Sequence, residues 1–337
     1  MGQRPVSKLA AVLAIDGGNS KTDVALVAPD GSLLGSARGG GSNHQGIGKD
    51  GMVAVLAELV RAAAARAGLP DNGPVANHTS ACLAGADLPD EEAELGTLIQ
   101  SLGWSATSSV VNDTFAVLRA GLDDAGQHWG IGVVCGAGIN CVGVAPDGQT
   151  TRFFALGRIS GDWGGGGDLG ADALWWASRA EDGRGPATEL CAAVADHFGR
   201  ASVGEVVIGL YRGKISYAEL HELVPVLFAV ADRGDQVAGD IVRRQAEEIS
   251  LMATVAATRL GLAGQPVPVV LGGSVLTARD PVLTRAIADR LTGSLPSAQI
   301  RIVDVPPVTG AALLGLDHVG APPSAAARLR ACSLTPT

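Results

Sequence analysis

The chain has 337 residues, 47 of them glycine, and 25 basic against 34 acidic side chains leave a formal charge of −9. That length supports two cores of ordinary size, and the negative balance opposes a nucleic-acid partner. With only five Trp, five Phe and two Tyr there is no material for a base-stacking platform either. Glycine at about one residue in seven, roughly twice the usual share and without a collagen period, belongs in loops. The five cysteines, Cys82, Cys135, Cys141, Cys191 and Cys332, are odd in number and contain no C-x-x-C, so they read as small buried hydrophobes of a reduced, cytoplasmic chain. The first apolar run, residues 9 to 15, is too short for a signal-peptide core or a membrane span. No membrane partner is expected.

Residues 9 to 15 (LAAVLAI) predict a buried strand, followed by a glycine turn at 17 to 18 and a second strand over 23 to 27. Pro29-Asp30-Gly31 has the composition of a hairpin turn, so residues 32 to 38 return as a third strand and close an antiparallel meander. Residues 51 to 67 space Val53, Leu56, Leu59 and Val60 as one helical face, stopped by Gly68 and Pro70. A strand over 79 to 83, a helix over 90 to 102 and a strand over 109 to 112 complete an α/β unit. The pattern then restarts. Strands over 129 to 135, 140 to 144 and 151 to 156, with turns at Gly136-Ala137-Gly138 and Pro146-Asp147-Gly148, repeat the opening order. A helical stretch over 169 to 261 follows, then a strand at 267 to 271, a helix at 281 to 291, a strand at 299 to 303 and a last helix from about 310. From Pro322 onward the chain reads as a frayed end. The expected domains are 1–117, 118–321 with a helical insert, and a 322–337 tail.

The sharpest local feature is Asp16-Gly17-Gly18-Asn19-Ser20-Lys21-Thr22 at the first strand turn. Paired glycines let the backbone aim successive N–H groups at an anion, and the hydroxyls and Lys21 can add phosphate contacts. Asp16, at a strand end, is placed to hold Mg²⁺, usually through water. An ordinary hairpin turn is the bland alternative. There is no G-x-x-x-x-G-K-[ST] and no strand-to-helix G-x-G-x-x-G, which disfavours P-loop and Rossmann sites. Gly136-Ala137-Gly138-Ile139-Asn140 offers the same kind of turn in the repeated unit. Folding two such halves together would set the turns facing each other across a cleft.

These motifs resemble the actin, hexokinase and heat-shock chaperone ATPase superfamily, and within it the BadF/BadG/BcrA/BcrD-type ATPase family with its N-acetylglucosamine and bacterial glucosamine kinases. The resemblance runs from Asp16 to about Gly315 and implies a two-domain α/β fold, actin-like and ribonuclease H-like, with an interdomain cleft. By the resemblance, Gly17, Gly18, Asn19, Ser20, Lys21 and Thr22 form the first ATP-phosphate motif, and Gly136, Ala137, Gly138 and Asn140 belong to the second. Gly272, Gly273 and Ser274, in Leu271-Gly272-Gly273-Ser274-Val275, look like the adenosine motif, and Pro307-Val308-Thr309-Gly310-Ala311-Ala312 resembles the closing element.

Val110-Val111-Asn112-Asp113 ends a strand and begins a helix. Asp113 is chemically able to accept a proton from an attacking hydroxyl, or it is simply a helix N-cap. The resemblance implies the catalytic role, with Asn112 beside it at the substrate. It also implies that Asn43 and His44, in Gly41-Ser42-Asn43-His44, and Asp162 contact the sugar. Asp162 opens Asp162-Trp163-Gly164-Gly165-Gly166-Gly167-Asp168, where Trp163 replaces the Glu of the family pattern G-D-E-G-S-G. Trp163 and Asp168 would change what the sugar 2-substituent meets. A free ammonium is stabilised by carboxylates, so the expectation is an ATP- and Mg²⁺-dependent glucosamine kinase, with N-acetylglucosamine kinase as the alternative. The glycine run itself reads equally as a mobile lid. A homodimer is the expected assembly. A dehydratase-activating ATPase would need exposed cluster cysteines, whereas Cys135 and Cys141 flank the second turn on predicted strands. A sugar-sensing repressor would need a DNA-binding extension ahead of a strand that begins by residue 9.

Overall fold

A computed structural model describes residues 9–70, 73–123 and 127–332 of the chain. The order opens β1 (Ala10–Gly17), β2 (Lys21–Val27), β3 (Leu33–Gly40), α1 (His44–Arg66), β4 (Ala76–Leu83), α2 (Pro89–Ser101), β5 (Ser105–Asn112) and α3 (Asp113–Gly121). It continues with β6 (Gly130–Cys135), β7 (Ile139–Val144), β8 (Thr150–Arg152) and five helices, α4 (Gly165–Glu181), α5 (Leu190–His197), α6 (Val203–Tyr211), α7 (Leu223–Asp232) and α8 (Gln236–Arg259). The chain closes with β9 (Pro268–Gly272), α9 (Ser274–Thr277), α10 (Pro281–Ser294), β10 (Gln299–Ile302), α11 (Pro307–His318) and α12 (Pro323–Ala331).

Two compact units result, one up to Trp129 and again from Val303 onward, the other Gly130–Ile302. The expected boundary at 117 falls inside α3, and the last helices belong to the first unit instead of the second. The five-stranded sheets are ordered β3-β2-β1-β4-β5 and β10-β9-β6-β7-β8. In each, the first three strands form an antiparallel meander and the last two run parallel to the first. The repeat read from the turns is therefore a repeat of topology.

In the first unit β1 is the central strand. Leu13 and Ile15 pack with Leu56, Val60 and Ile99 of α1 and α2 on one face, while Val12 and Ala14 pack with Ala116, Ala312, Leu316 and Leu329 on the other. Burial on both faces explains why its sequence is unbroken by polar residues. β5 is an edge strand whose Ala106 and Thr107 are exposed, which is why its polar opening, Ser105 to Ser108, lies outside the strand expected over 109 to 112. The stretch from Pro322 is not a frayed end. Ala325 and Leu329, four residues apart, give α12 a fully buried stripe, and Arg330 donates to the carbonyls of Arg119, Ala120 and Leu122 at the end of α3. β8 is shorter than expected because Ala155 turns the chain at φ 54°. Only residues 333–337 of the proposed tail lie outside the described residues.

Candidate active site

In the first unit the β1–β2 turn is drawn tight by the Gly18 N–H donating to Lys21 O at 2.9 Å. The loop leaving β3 lies against it: Ser42 N–H donates to Gly18 O at 3.0 Å, and a Cβ on Gly41 would come within 2.0 Å of Asn19 O. Asn19 and Ser20 are exposed at the tip, and their amides donate to no protein carbonyl among the described residues. Thr22 does not share that exposure. It is fully buried and its hydroxyl donates to Ser42 Oγ at 2.8 Å, so it braces the loop instead of adding a phosphate contact. Lys21 is exposed.

Asp16 sits at the end of β1, opposite Asp23 on β2 and Cys82 on β4. Burial, then the charges of Asp113 and Asp23, push its carboxyl up to about 8. Arg38 holds Asp23 through two hydrogen bonds of 2.6 and 2.8 Å. Asn112 caps α3, its Oδ1 accepting from Thr114 N at 2.9 Å while its Nδ2 donates to Asp87 Oδ1 at 2.9 Å. Because Asn112 is the cap, Asp113 is the first helical residue and is not spent on capping. Asn112 is buried with a protein partner at each end of its amide, so it positions the helix start and Asp87. Burial and the Asp87 charge push Asp113 up to about 6 against hydrogen bonds at the helix start.

Asn43 caps α1 by accepting from Gln45 N at 2.9 Å and donates to Asn19 Oδ1 at 2.6 Å. His44 begins the helix, and its buried Nδ1 has no partner among the described residues. Gln45 Nε2 reaches Asp87 Oδ2 at 3.4 Å and Gly85 O at 3.3 Å. The 84–88 loop thus ties Asn43 and Gln45 to Asn112. Neither Asp87 nor Gln45 was found from sequence; the only available signal was Gly85, whose φ of 82° and 2.5 Å clearance to Asn43 Oδ1 require a residue without a Cβ.

In the second unit the β6–β7 turn closes by Gly136 N–H donating to Gly138 O at 2.9 Å. The glycine run is no lid. It is the N-terminus of α4, with Gly166 N–H donating to Gly136 O at 2.7 Å and Gly167 N–H to Ala137 O at 3.0 Å. The first amides of a helix lack intrahelical partners, and here the turn's carbonyls supply them. The exposed amides of Ala137 and Gly138 donate to no protein carbonyl among the described residues. Asn140 lies on β7, partly buried, its Oδ1 accepting from Cys141 N. Gly272 ends β9 opposite Val134; Gly273, at φ 89°, has Cys135 O within 2.4 Å of where a Cβ would be, and Ser274 is exposed at the start of α9. All three glycine-bearing segments of this unit therefore abut at the end of β6.

Asp162 is partly buried after a single 3₁₀ turn, where Ser160 Oγ donates to its Oδ2 and its own N–H donates to Gly157 O at 3.1 Å. Trp163 is not at the surface of this site. It is buried, with the Arg244 guanidinium 3.9 Å over its ring. Asp168 accepts from Arg158 at 3.0 and 3.1 Å and from Gly164 N at 3.1 Å. With Trp163 buried away and the Asp168 carboxylate engaged by Arg158 and Gly164, the ground on which glucosamine was expected is removed. Burial raises the Cys135 thiol to about 12 and holds that of Cys141 higher still, the behaviour of inert core cysteines and not of cluster ligands.

The sequence profile of the BadF/BadG/BcrA/BcrD ATPase family matches residues 13–315. An N-acetylmuramic acid/N-acetylglucosamine kinase of Clostridium acetobutylicum is 30% identical over 268 residues, 79% of this chain and 85% of that one. An N-acetyl-D-glucosamine kinase of Dictyostelium discoideum is 26% identical over 313 residues, 90% and 97%. A crystal structure of a candidate N-acetylglucosamine kinase from Chromobacterium violaceum superposes with a TM-score of 0.69 at 28% identity, covering 91% of this chain and 99% of the other. The ROK family glucokinase of Streptomyces griseus shares the fold at a TM-score of 0.53 and 14% identity, over 90% and 98%. With a family profile spanning nearly the whole chain over the same turns, strand ends and glycine segments, the chain belongs to the BadF/BadG/BcrA/BcrD ATPase family.

Proposed function

We propose that this chain is a carbohydrate kinase that transfers the γ-phosphoryl group of ATP to the 6-hydroxyl of N-acetylglucosamine. The observation that carries the reading is Asp113: a carboxyl at the first position of α3, capped by another residue and raised to about 6 by burial and Asp87, is a base poised for a hydroxyl proton. Two glycine turns, one per unit, have tip amides with no protein acceptor among the described residues, which suits them to phosphate oxygens. Gly272, Gly273 and Ser274 are the proposed nucleoside contacts. Asn43, His44 and Asp162 are the proposed sugar contacts. The names of the relatives support an N-acetylated amino sugar over glucosamine, in accord with the engaged carboxylate of Asp168.

Mg²⁺ fits the residues present. Asp16 is a buried carboxyl crowded by two others and driven up to about 8, and a divalent cation would relieve that unfavourable charge. Held at a carboxylate, Mg²⁺ would take waters and phosphate oxygens as its remaining ligands. When bound, Mg²⁺ supplies charge compensation to the phosphates. Asp16 would hold it. Lys21 and the amides of Asn19, Ser20, Ala137 and Gly138 would orient the phosphates, and Asp113 would accept the hydroxyl proton as the oxygen attacks phosphorus.

A coupled assay with ATP and Mg²⁺ across N-acetylglucosamine, N-acetylmuramic acid, glucosamine and glucose tests the reading. The expected result is the highest kcat/KM for N-acetylglucosamine; a preference for glucosamine would restore the earlier expectation, and no turnover with any sugar would refute the activity. Asp162→Asn is expected to raise the sugar KM by roughly tenfold with the ATP KM within about twofold, as for loss of a charged hydrogen bond to one substrate. Equal changes in both KM values would count against a sugar-contacting Asp162.

A further inference from the structure

Two consecutive side chains of α8 clasp the loop that leads into α4. Arg244 covers Trp163. Gln245 is fully buried, and its Oε1 accepts from Gly165 N at 2.9 Å. Gly164, at φ 138°, leaves its missing Cβ 2.7 Å from Gln245 Nε2, and Gly165, at φ 83°, leaves its own 2.5 Å from Gly138. From there Gly166 and Gly167 donate to Gly136 and Ala137. An unbroken series of short contacts therefore runs from Gln245 to the second glycine turn. Gln245 Nε2 has no partner among the described residues, so the buried amide is retained for its acceptor half alone, and an aliphatic residue at 245 would leave the Gly165 N–H enclosed without an acceptor.

We infer that Gln245 is a positioning residue for the nucleotide, holding Gly164–Gly167 in the one pose that takes up the inward carbonyls of Gly136 and Ala137 and leaves the tip amides of that turn for phosphate. The inference rests on the proposal that Gly136–Gly138 holds phosphate. Gln245 touches neither substrate in this scheme; it acts through the α4 glycines.

Nucleotide binding measured by calorimetry with the non-hydrolysable ATP analogue AMPPNP, together with separate KM values for ATP and N-acetylglucosamine, tests it. Gln245→Leu is expected to weaken AMPPNP binding and raise the ATP KM on the order of tenfold, since small misplacements of binding groups are amplified at such sites, with the sugar KM within about twofold. Gln245→Glu keeps an acceptor oxygen for the Gly165 N–H but buries an acid, and is expected to retain more AMPPNP affinity than Gln245→Leu while falling short of the wild type. Should Gln245→Leu fail to fold, Gly164→Ala strikes the same contact from the other side and is expected to weaken the nucleotide selectively. Unchanged AMPPNP affinity in a folded Gln245→Leu or Gly164→Ala protein overturns the inference, as does an equal loss for both substrates. Gly138→Ala separates the two readings. Its Cβ meets no protein atom within 4 Å, so weakened AMPPNP binding there, with Gln245→Leu unaffected, rejects Gln245 alone, whereas full affinity in Gly138→Ala rejects the phosphate-holding turn itself.

Discussion

Asp113→Asn is expected to lower kcat by about 10²- to 10⁴-fold, the range that a positioned general base contributes, while leaving the sugar KM within a few fold. The substitution keeps the shape of the side chain at the first helical position, and the cap belongs to Asn112, so the helix start should survive. The pH profile gives a second readout. A carboxyl must be ionised to accept the hydroxyl proton, and burial with the Asp87 charge raises this one to about 6; the base is therefore lost as pH falls through about 6, and kcat/KM should drop tenfold per unit below it. The measurement belongs at saturating Mg²⁺, where a cation on Asp16 would keep that second raised carboxyl ionised. In Asp113→Asn the acidic limb should disappear from the residual activity. Turnover near the wild-type level, or a limb at about 6 that persists in the variant, would remove Asp113 from the mechanism.

Gly310→Ala is expected to destabilise the first unit by about 2–3 kcal/mol, the scale of forced overpacking, seen as a fall of roughly 5–10 °C in Tm. Gly310 lies on α11 where it meets α3, and an added Cβ would come within 1.8 Å of Ala116 O and 2.6 Å of its carbonyl carbon. Backbone offers no rotamer to move aside, so the two helices must separate. That separation would strain the Arg119–Asp317 pair, held at 2.7 and 3.3 Å between the same helices, and would shift the helix that begins at Asp113. Activity should therefore fall as well, with weak recovery at low temperature. Gly96→Ala on α2, where a Cβ meets nothing within 4 Å, is the control and should be neutral or stabilising by up to about 1 kcal/mol. Equal Tm values for the two variants would show that the α3–α11 approach is looser than described.

Much of the architecture was legible because it depends on neighbouring residues. The run at 9 to 15 had to be a buried strand once nothing polar interrupted it, and the paired glycine and P-D-G turns at 17 and 29, then 136 and 146, announced two meanders of one topology. The same locality explains the errors. β5 opens Ser-Ala-Thr-Ser-Ser because it is an edge; the stretch from Pro322 reads as a frayed end because two consecutive prolines look like a terminus, whereas Ala325 and Leu329 are buried.

At the candidate site the division is similar. Motifs placed Asp16, Asp113 and the glycines of both turns by the types of residue that phosphate and proton transfer need. Which neighbours each would meet was beyond any motif. Thr22 turned inward to Ser42, Asn112 was consumed by Thr114 and Asp87, Asp168 by Arg158, and Trp163 by Arg244. Gln45, Asp87 and Gln245 entered only through partners 25 to 80 residues away. By itself, then, the sequence determined the strands, the turns and the chemical inventory of the site, because backbone conformation and residue chemistry are local properties. Only the tertiary structure decided which polar groups are spent on the protein and which are left for a ligand, because hydrogen-bond satisfaction inside a folded chain is settled by residues distant in sequence.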